Sequence, residues 1–261
     1  MSSTVSIHPS ALVSPGAELA EGVVIGPYCT VGPKVKIGAG THLLSHVVVD
    51  GRTSLGAHNK VFPFCVLGAV PQDKKYAGED TALVIGDHNT VRESCTFNLG
   101  VTGAGGVTTV GSHNWIMAYV HIAHDCTVGN HTTFANHATL AGHVEVQDWV
   151  TLGGFVGVHQ FCKVGAHSFC GVGTVLVQDL PPFVMVAGNP AKTHGINSEG
   201  LKRRGFSPEE IAAVKRAYRI FYRSGLSLEE ALTALAPLAA EFACVQPFVN
   251  FMNAASRGVV R

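Results

Sequence analysis

Counting in sixes from Val110, the residues Ile116, Ile122, Val128, Phe134, Leu140, Val146, Leu152, Val158, Val164, Cys170 and Leu176 are all apolar, so twelve registers in a row obey one period. The residue after a register is often glycine (Gly111, Gly129, Gly153, Gly165, Gly171), and the residue four along is small or β-branched (Cys126, Thr132, Ala138, Val144, Val150). A period of six matches neither the 3.6 of a helix nor the alternation of an isolated strand; it fits a solenoid of short strands and tight corners. In such a coil the aliphatic residue fills the interior, the small residue fits where space is tight, and glycine allows close backbone approach at a bend.

The same period runs through the N-terminal third, from Ile7 to Leu67 in eleven registers. Phase is lost over residues 68–84, which carry the polar run Gln72-Asp73-Lys74-Lys75-Tyr76-Ala77-Gly78-Glu79, and again over the Gly-rich stretch 98–109. Loops thrown out from a rigid scaffold are where binding residues concentrate, so both inserts are expected to serve a site. Repetition stops near Pro181-Pro182, giving an expected β-helix over 1–190 and a helical C-terminal region over 191–261. Ser207-Pro208-Glu209-Glu210 and Ser227-Leu228-Glu229-Glu230 read as capping boxes that open two helices, expected to cover the end of the solenoid.

With 261 residues, a formal net charge of zero and 14% charged residues, the chain reads as a folded protein with no affinity for nucleic acid. No stretch approaches a membrane span and residues 1–10 lack a leader pattern, so a cytoplasmic protein is the expectation. Five of the seven cysteines (Cys29, Cys65, Cys95, Cys126, Cys162) fall four after a register, where the repeat wants a small residue, and read as core. From Ser198 onward nine Lys or Arg face six Glu. That surplus, with Lys202-Arg203-Arg204, is what an acidic carrier or a phosphate would meet.

The repeat resembles that of the left-handed parallel β-helix acyltransferases, whose three-faced prism takes eighteen residues per coil. On that count residues eighteen apart stack about 4.8 Å above one another. Eight of the fourteen histidines (His46, His58, His88, His113, His131, His137, His143, His167) fall three after a register, a position of the scaffold. One strip differs: His124, Gly142 and Gln160 are spaced by eighteen, with His121, Asp125, His143 and His159 beside them. An imidazole next to a carboxylate, near a fixed glycine N–H, has the parts of an acyl-transfer site, a general base and an oxyanion donor. No Ser or Cys nucleophile stands beside His124, which favours direct attack by the acceptor.

The segments Ile122-Ala123-His124-Asp125-Cys126-Thr127-Val128-Gly129, Leu140-Ala141-Gly142-His143, Val158-His159-Gln160-Phe161 and Gly200-Leu201-Lys202-Arg203-Arg204-Gly205-Phe206 resemble, over essentially the whole chain, the UDP-N-acetylglucosamine O-acyltransferase family of lipid A biosynthesis. The resemblance implies transfer of a 3-hydroxyacyl chain from acyl carrier protein to the 3-position of UDP-N-acetylglucosamine, by a homotrimer with sites between subunits and with no metal or organic cofactor. It implies His124 as general base, Asp125 as its orienting partner and the Gly142 backbone as oxyanion donor. Asp73, Lys75, His121, His143, His159 and Gln160 would line the sugar-nucleotide and carrier-arm site. Asn197, Glu199, Arg203 and Arg204 would lie toward the nucleotide, and Val172 and Pro190 would measure acyl length.

The chain departs from the family at Thr96-Phe97-Asn98-Leu99-Gly100, where an imidazole usually follows the apolar residue. That departure keeps open a 3-amino sugar acceptor, with an amide product. A third reading, a zinc enzyme of the carbonic anhydrase type on the same prism, would draw on His121 and His124 as ligands.

Overall fold

In the computed structural model, which describes residues 4–103 and 105–261, the six-residue period becomes a left-handed parallel β-helix with three faces. The first face has eleven strands, from Ser6–Ile7 to Lys192–Ile196; the second has nine, from Leu12–Val13 to Val175–Leu176; the third has eight, from Glu18–Leu19 to Lys163–Val164. We call the turn from first to second face edge I, from second to third edge II, and from third back to first edge III. In the uninterrupted part each strand pairs in parallel with the one eighteen residues on, as His121 does with Thr139 and Thr139 with Gly157.

Every register residue from Ile25 to Leu176 that the repeat places inward is buried, and the small residues four along fill the corners behind them. Cys29, Cys65, Cys95, Cys126 and Cys162 are all buried free thiols, and four donate to a carbonyl of the next coil, such as Cys126 Sγ to Ala141 O at 3.1 Å. Because the inserts lengthen two coils, Val66 pairs with Thr96, so Cys65 and Cys95 sit on neighbouring rungs.

The inserts also hide an asparagine ladder. Asn59, Asn89 and Asn114 each stand four after a register and are buried. The Oδ1 of Asn59 accepts the backbone N–H of Asn89 (2.8 Å), that of Asn89 accepts the N–H of Asn114 (2.9 Å), and that of Asn114 accepts the N–H of Thr132 (2.7 Å). Asn89 Nδ2 also donates to the carbonyls of Gly86 and Gly111. Asn89→Val therefore leaves buried backbone groups unpaired and is expected to cost roughly 2–4 kcal/mol, read as a lowered urea midpoint at unchanged slope.

The eight scaffold histidines have a common cause. Each takes a positive φ, between 56° and 63°, at the corner of its coil. A non-glycine residue there pays a steric cost, and stacking on the ring one coil along offsets it. Along edge III, His58, His88, His113 and His131 stack with centroids 4.8–4.9 Å apart, and the column continues through Trp149, 4.1 Å from His131, to His167 and Phe183.

Four helices follow: α1 (Ser198–Arg203), α2 (Pro208–Arg223), α3 (Leu228–Glu241) and α4 (Gln246–Ala254). Both expected capping boxes are present, at Ser207/Glu210 and Ser227/Glu230. Lys192–Ile196, which falls in the segment expected to be helical, instead turns back as an antiparallel strand on Val184–Ala187 and closes the first face. Helix α2 packs its Ala213, Val214, Ala217, Tyr218 and Phe221 inward, with Tyr218 Oη bonded to Thr193 Oγ1 of that strand. The C-terminal tail covers the third face at Asp179, whose buried carboxylate accepts N–H groups from Ser256 and Arg257. No described helix is long and apolar enough to cross a membrane.

Candidate active site

Edge II collects most of the expected residues. Strand His121–Ile122 runs along the second face, and the chain turns through His124 and Asp125 before strand Thr127–Val128 of the third. One coil on, the same turn holds Gly142 and His143; one further, it holds Gln160 and Phe161. Both inserts leave from this edge as well: 70–81 lies between strands Val66–Ala69 and Ala82–Ile85, and 99–106 lies between Thr96–Asn98 and Val107–Val110.

Asp125 occupies the corner position that elsewhere holds rings, with φ of 56°, a conformation Asp tolerates better than most residues. Its carboxylate is thereby turned inward, and its Oδ2 lies 2.8 Å from His124 Nδ1. The same Oδ2 accepts the backbone N–H of Val101 at 3.0 Å, while the Asp125 N–H donates to Thr108 Oγ1 at 2.8 Å. Oδ1 is buried with no partner among the described residues. With the carboxylate side chain 2% exposed and the imidazole 15%, the pair is shielded but open on one side. A carboxylate facing Nδ1 fixes the proton there, which leaves Nε2 as the free lone pair.

The ring lies over Gly142. A Cβ built on Gly142 would come within 2.5 Å of His124 Cε1 and 2.6 Å of Nε2, so glycine is what makes room for the imidazole. The Gly142 carbonyl accepts the N–H of Phe161, whereas its own N–H donates to no acceptor among the described residues. His143 packs edge-on to His124 at 4.9 Å and stacks on Phe161 at 4.4 Å. Burial pushes the His143 imidazole below its ordinary value, against the opposing pull of Asp125 and of Asp73, whose charge reaches it from the first insert. His121, held by Thr96 Oγ1 at 2.8 Å, is likewise lowered by burial. Both flanking rings are thus biased toward the neutral form.

Of the remaining edge II residues, Asp73 accepts the Lys75 N–H within the insert, and Lys75 is exposed. His159 and Gln160 are exposed, with Arg257 of the tail 3.3 Å from His159 Nδ1. Asn98 is buried and its Oδ1 has no partner among the described residues, while Nδ2 donates to Val70 O.

Six expected residues lie elsewhere on the chain. Val172, 74% exposed, is in an edge I turn, and exposed Pro190 is in the hairpin of the first face. Asn197, Glu199, Arg203 and Arg204 border a hollow of about 350 Å³ floored by Thr151, Phe169 and Met185 of the first face. Asn197 is already engaged there: its Oδ1 caps α1 at the Gly200 N–H and its Nδ2 donates to His167 O. Glu199 pairs with Lys202 at 2.8 Å, Arg204 lies 5.3 Å over the Trp149 ring, and Arg203 is exposed, with its charge felt by Glu199.

One group of potential metal ligands occurs among the described residues, His124, Asp125 and His143, with ligand atoms within 4.8 Å of one another. His121, which a zinc site would have drawn on, is outside it and bonded to Thr96. An ion at about 2.0–2.1 Å from each of His124 and Asp125 would hold their atoms wider apart than the 2.8 Å of their hydrogen bond. The donor set suits a proton better than a cation.

Two further contributors fix Asp125, the Val101 N–H of the second insert and Thr108 of the strand that follows it; the insert breaks the count that would have aligned them with it.

A β-helix of hexapeptide coils with an imidazole–carboxylate pair on one edge defines a transferase of the hexapeptide class, and residues 108–142 match the model of bacterial transferase hexapeptide repeats. Residues 179–260 match the model of the second domain of UDP-N-acetylglucosamine O-acyltransferase. The acyl-[acyl-carrier-protein]--UDP-N-acetylglucosamine O-acyltransferases of Thiobacillus denitrificans and Verminephrobacter eiseniae are 60% and 54% identical, each match covering 98% of this chain and 99% of the relative. The crystal structure of UDP-N-acetylglucosamine O-acyltransferase from Moraxella catarrhalis superposes with a TM-score of 0.96 at 44% identity, over 98% of this chain and 99% of that one. The chain belongs to the UDP-N-acetylglucosamine O-acyltransferase family.

Proposed function

We propose that this protein transfers a 3-hydroxyacyl chain from acyl carrier protein to the 3-hydroxyl of UDP-N-acetylglucosamine, on the route to lipid A. The observation that carries the reading is the Nε2 of His124, held by Asp125 through Nδ1, in a ring set over Gly142, whose N–H has no partner among the described residues. His124 Nε2 takes the proton of the acceptor hydroxyl as its oxygen attacks the thioester carbon. The Gly142 N–H bonds the oxyanion of the tetrahedral intermediate. Collapse breaks the C–S bond, and the imidazolium returns its proton to the departing thiolate. The step needs no metal or organic cofactor.

His143, His121, Gln160, His159, Asp73 and Lys75 surround the sugar and the carrier arm on edge II. Val172, Pro190, Asn197, Glu199, Arg203 and Arg204 lie away from edge II on the same chain, at edge I and along the first face, which supports a homotrimer in which a second copy brings them opposite edge II. Exposed Lys215, Arg216, Arg219 and Arg223 stripe one side of α2 and suit an acidic carrier.

Bulky Val172 favours a shorter acyl chain. Each methylene left unburied forfeits ~0.8 kcal/mol, so kcat/KM is expected to fall about fourfold per excess methylene, and Val172→Gly is expected to shift preference toward longer carriers. Equal rates across chain lengths in both proteins would refute this role. The second reading, a 3-amino acceptor, is favoured by Asn98 and its unpartnered Oδ1. Incubation with both sugar nucleotides and identification of the product by mass separates the two: an O-acyl product supports the ester reading, and exclusive N-acylation overturns it.

A further inference from the structure

The two inserts are joined to each other and to the His124–Asp125 pair by a chain of hydrogen bonds. Glu79, in the first insert, accepts the hydroxyl of Thr102 on Oε1 at 3.2 Å and the Ala77 N–H on Oε2 at 3.0 Å. Its backbone carbonyl accepts Tyr76 Oη at 3.1 Å. Thr102 follows Val101, whose N–H donates to Asp125 Oδ2, and that same oxygen faces His124 Nδ1. Since Oδ1 of Asp125 has no partner, the carboxylate is oriented through one oxygen, and Val101 supplies one of its two bonds.

We infer that Val101 and Thr102 of the second insert, with Glu79 of the first, are positioning residues that hold the Asp125 carboxylate, and through it the His124 tautomer, and tie it to the insert that carries Asp73 and Lys75. The physical reason is directional. A buried carboxylate with one donor could rotate about its Cβ–Cγ bond; a second donor on the same oxygen leaves a single low-energy orientation, in which Nδ1 is the protonated nitrogen of His124. The donor is a backbone group on a loop with few interior contacts of its own: Val101 is only part-buried and Thr102 is exposed. Its place is set on one side by buried Leu99 and the Gly100 N–H bond to Ala82 O, and on the other by the Glu79–Thr102 bond. Any substrate group that orders the first insert would thereby steady the base as well, so binding and proton transfer are linked through this bridge.

The inference rests on the acyl-transfer reading, and its test separates the two. The purified full-length protein is assayed with a 3-hydroxyacyl carrier and UDP-N-acetylglucosamine. Val101→Pro removes the N–H, while also fixing φ there and restricting Gly100; Val101→Ala keeps the N–H. Val101→Pro is expected to lower kcat by roughly 10- to 150-fold, the worth of one hydrogen bond to a charged group, with KM for the sugar nucleotide within about twofold, while Val101→Ala restores most of kcat. Thr102→Val is expected to lose a few-fold in kcat, with Thr102→Ser recovering it, a pair that stands on its own should the proline variant fail to fold. In an Asp125→Asn background the Val101→Pro loss should vanish, because the residue acts through Asp125. Losses that persist undiminished in Asp125→Asn, equal losses in the proline and alanine variants, or a rise in KM alone would overturn the inference. An unsubstituted protein without turnover would instead sink the functional reading on which it rests.

Discussion

Replacing His124 by alanine is expected to lower kcat by roughly 10²–10⁴-fold while leaving the melting transition close to that of the unsubstituted protein. The size follows from what the side chain does and what no neighbour can do in its place. His143 is the nearest imidazole, yet it is stacked on Phe161 and turned edge-on to His124. His121 has its Nδ1 engaged by Thr96. Neither ring has a carboxylate on one nitrogen and an open approach on the other. The small effect on stability follows from position: the His124 ring lies outside the apolar column formed by Ile122, Leu140 and Val158, which is left intact. Single-turnover rates, which isolate the chemical step from carrier release, are the appropriate readout. A loss under threefold would mean that another group takes the proton.

Gly142→Ala is expected to cost about 10²-fold in kcat, although it adds one methyl group. The new Cβ would stand 2.5–2.6 Å from His124 Cε1 and Nε2, far inside contact distance. Relief requires movement, and the ring cannot move freely, because Asp125 holds Nδ1 and His143 closes one side. Gly142 has an ordinary backbone conformation that alanine can adopt, so the penalty is one of space alone. Displacing the base by the order of an ångström is enough for a loss of that size. The accompanying change in stability is expected to be small, since the backbone bonds Phe161 N–H to Gly142 O and His143 N–H to His124 O remain possible. An alanine variant of full activity would show that the imidazole does not work from its place over residue 142.

How much of this could be read from sequence depends on where the repeat is unbroken. From Val110 onward, counting by eighteen puts His124, Gly142 and Gln160 on one edge, and the strand pairings of that region follow the count. Upstream, the inserts shift the count, so the stacking of Cys65 over Cys95 and the Asn59–Asn89–Asn114 ladder were not legible from spacing. The eight histidines that follow a register by three do lie at the corners, but their stacking depends on the sign of φ there, which periodicity does not report. The bond from Val101 to Asp125 is a backbone donation from an insert and leaves no side-chain signature. Asn197 shows the opposite limit: a polar residue at a family position, whose amide the fold already uses to cap α1 and to hold His167.

The central claim is that His124 Nε2 faces the acceptor oxygen. A crystal structure of the protein with UDP-N-acetylglucosamine bound tests it most directly. The sugar 3-hydroxyl is expected within roughly 2.6–3.2 Å of Nε2, with the diphosphate reaching Arg203 and Arg204 of a second copy. A sugar bound with that hydroxyl turned away from His124, or seated on a face other than edge II, would contradict it.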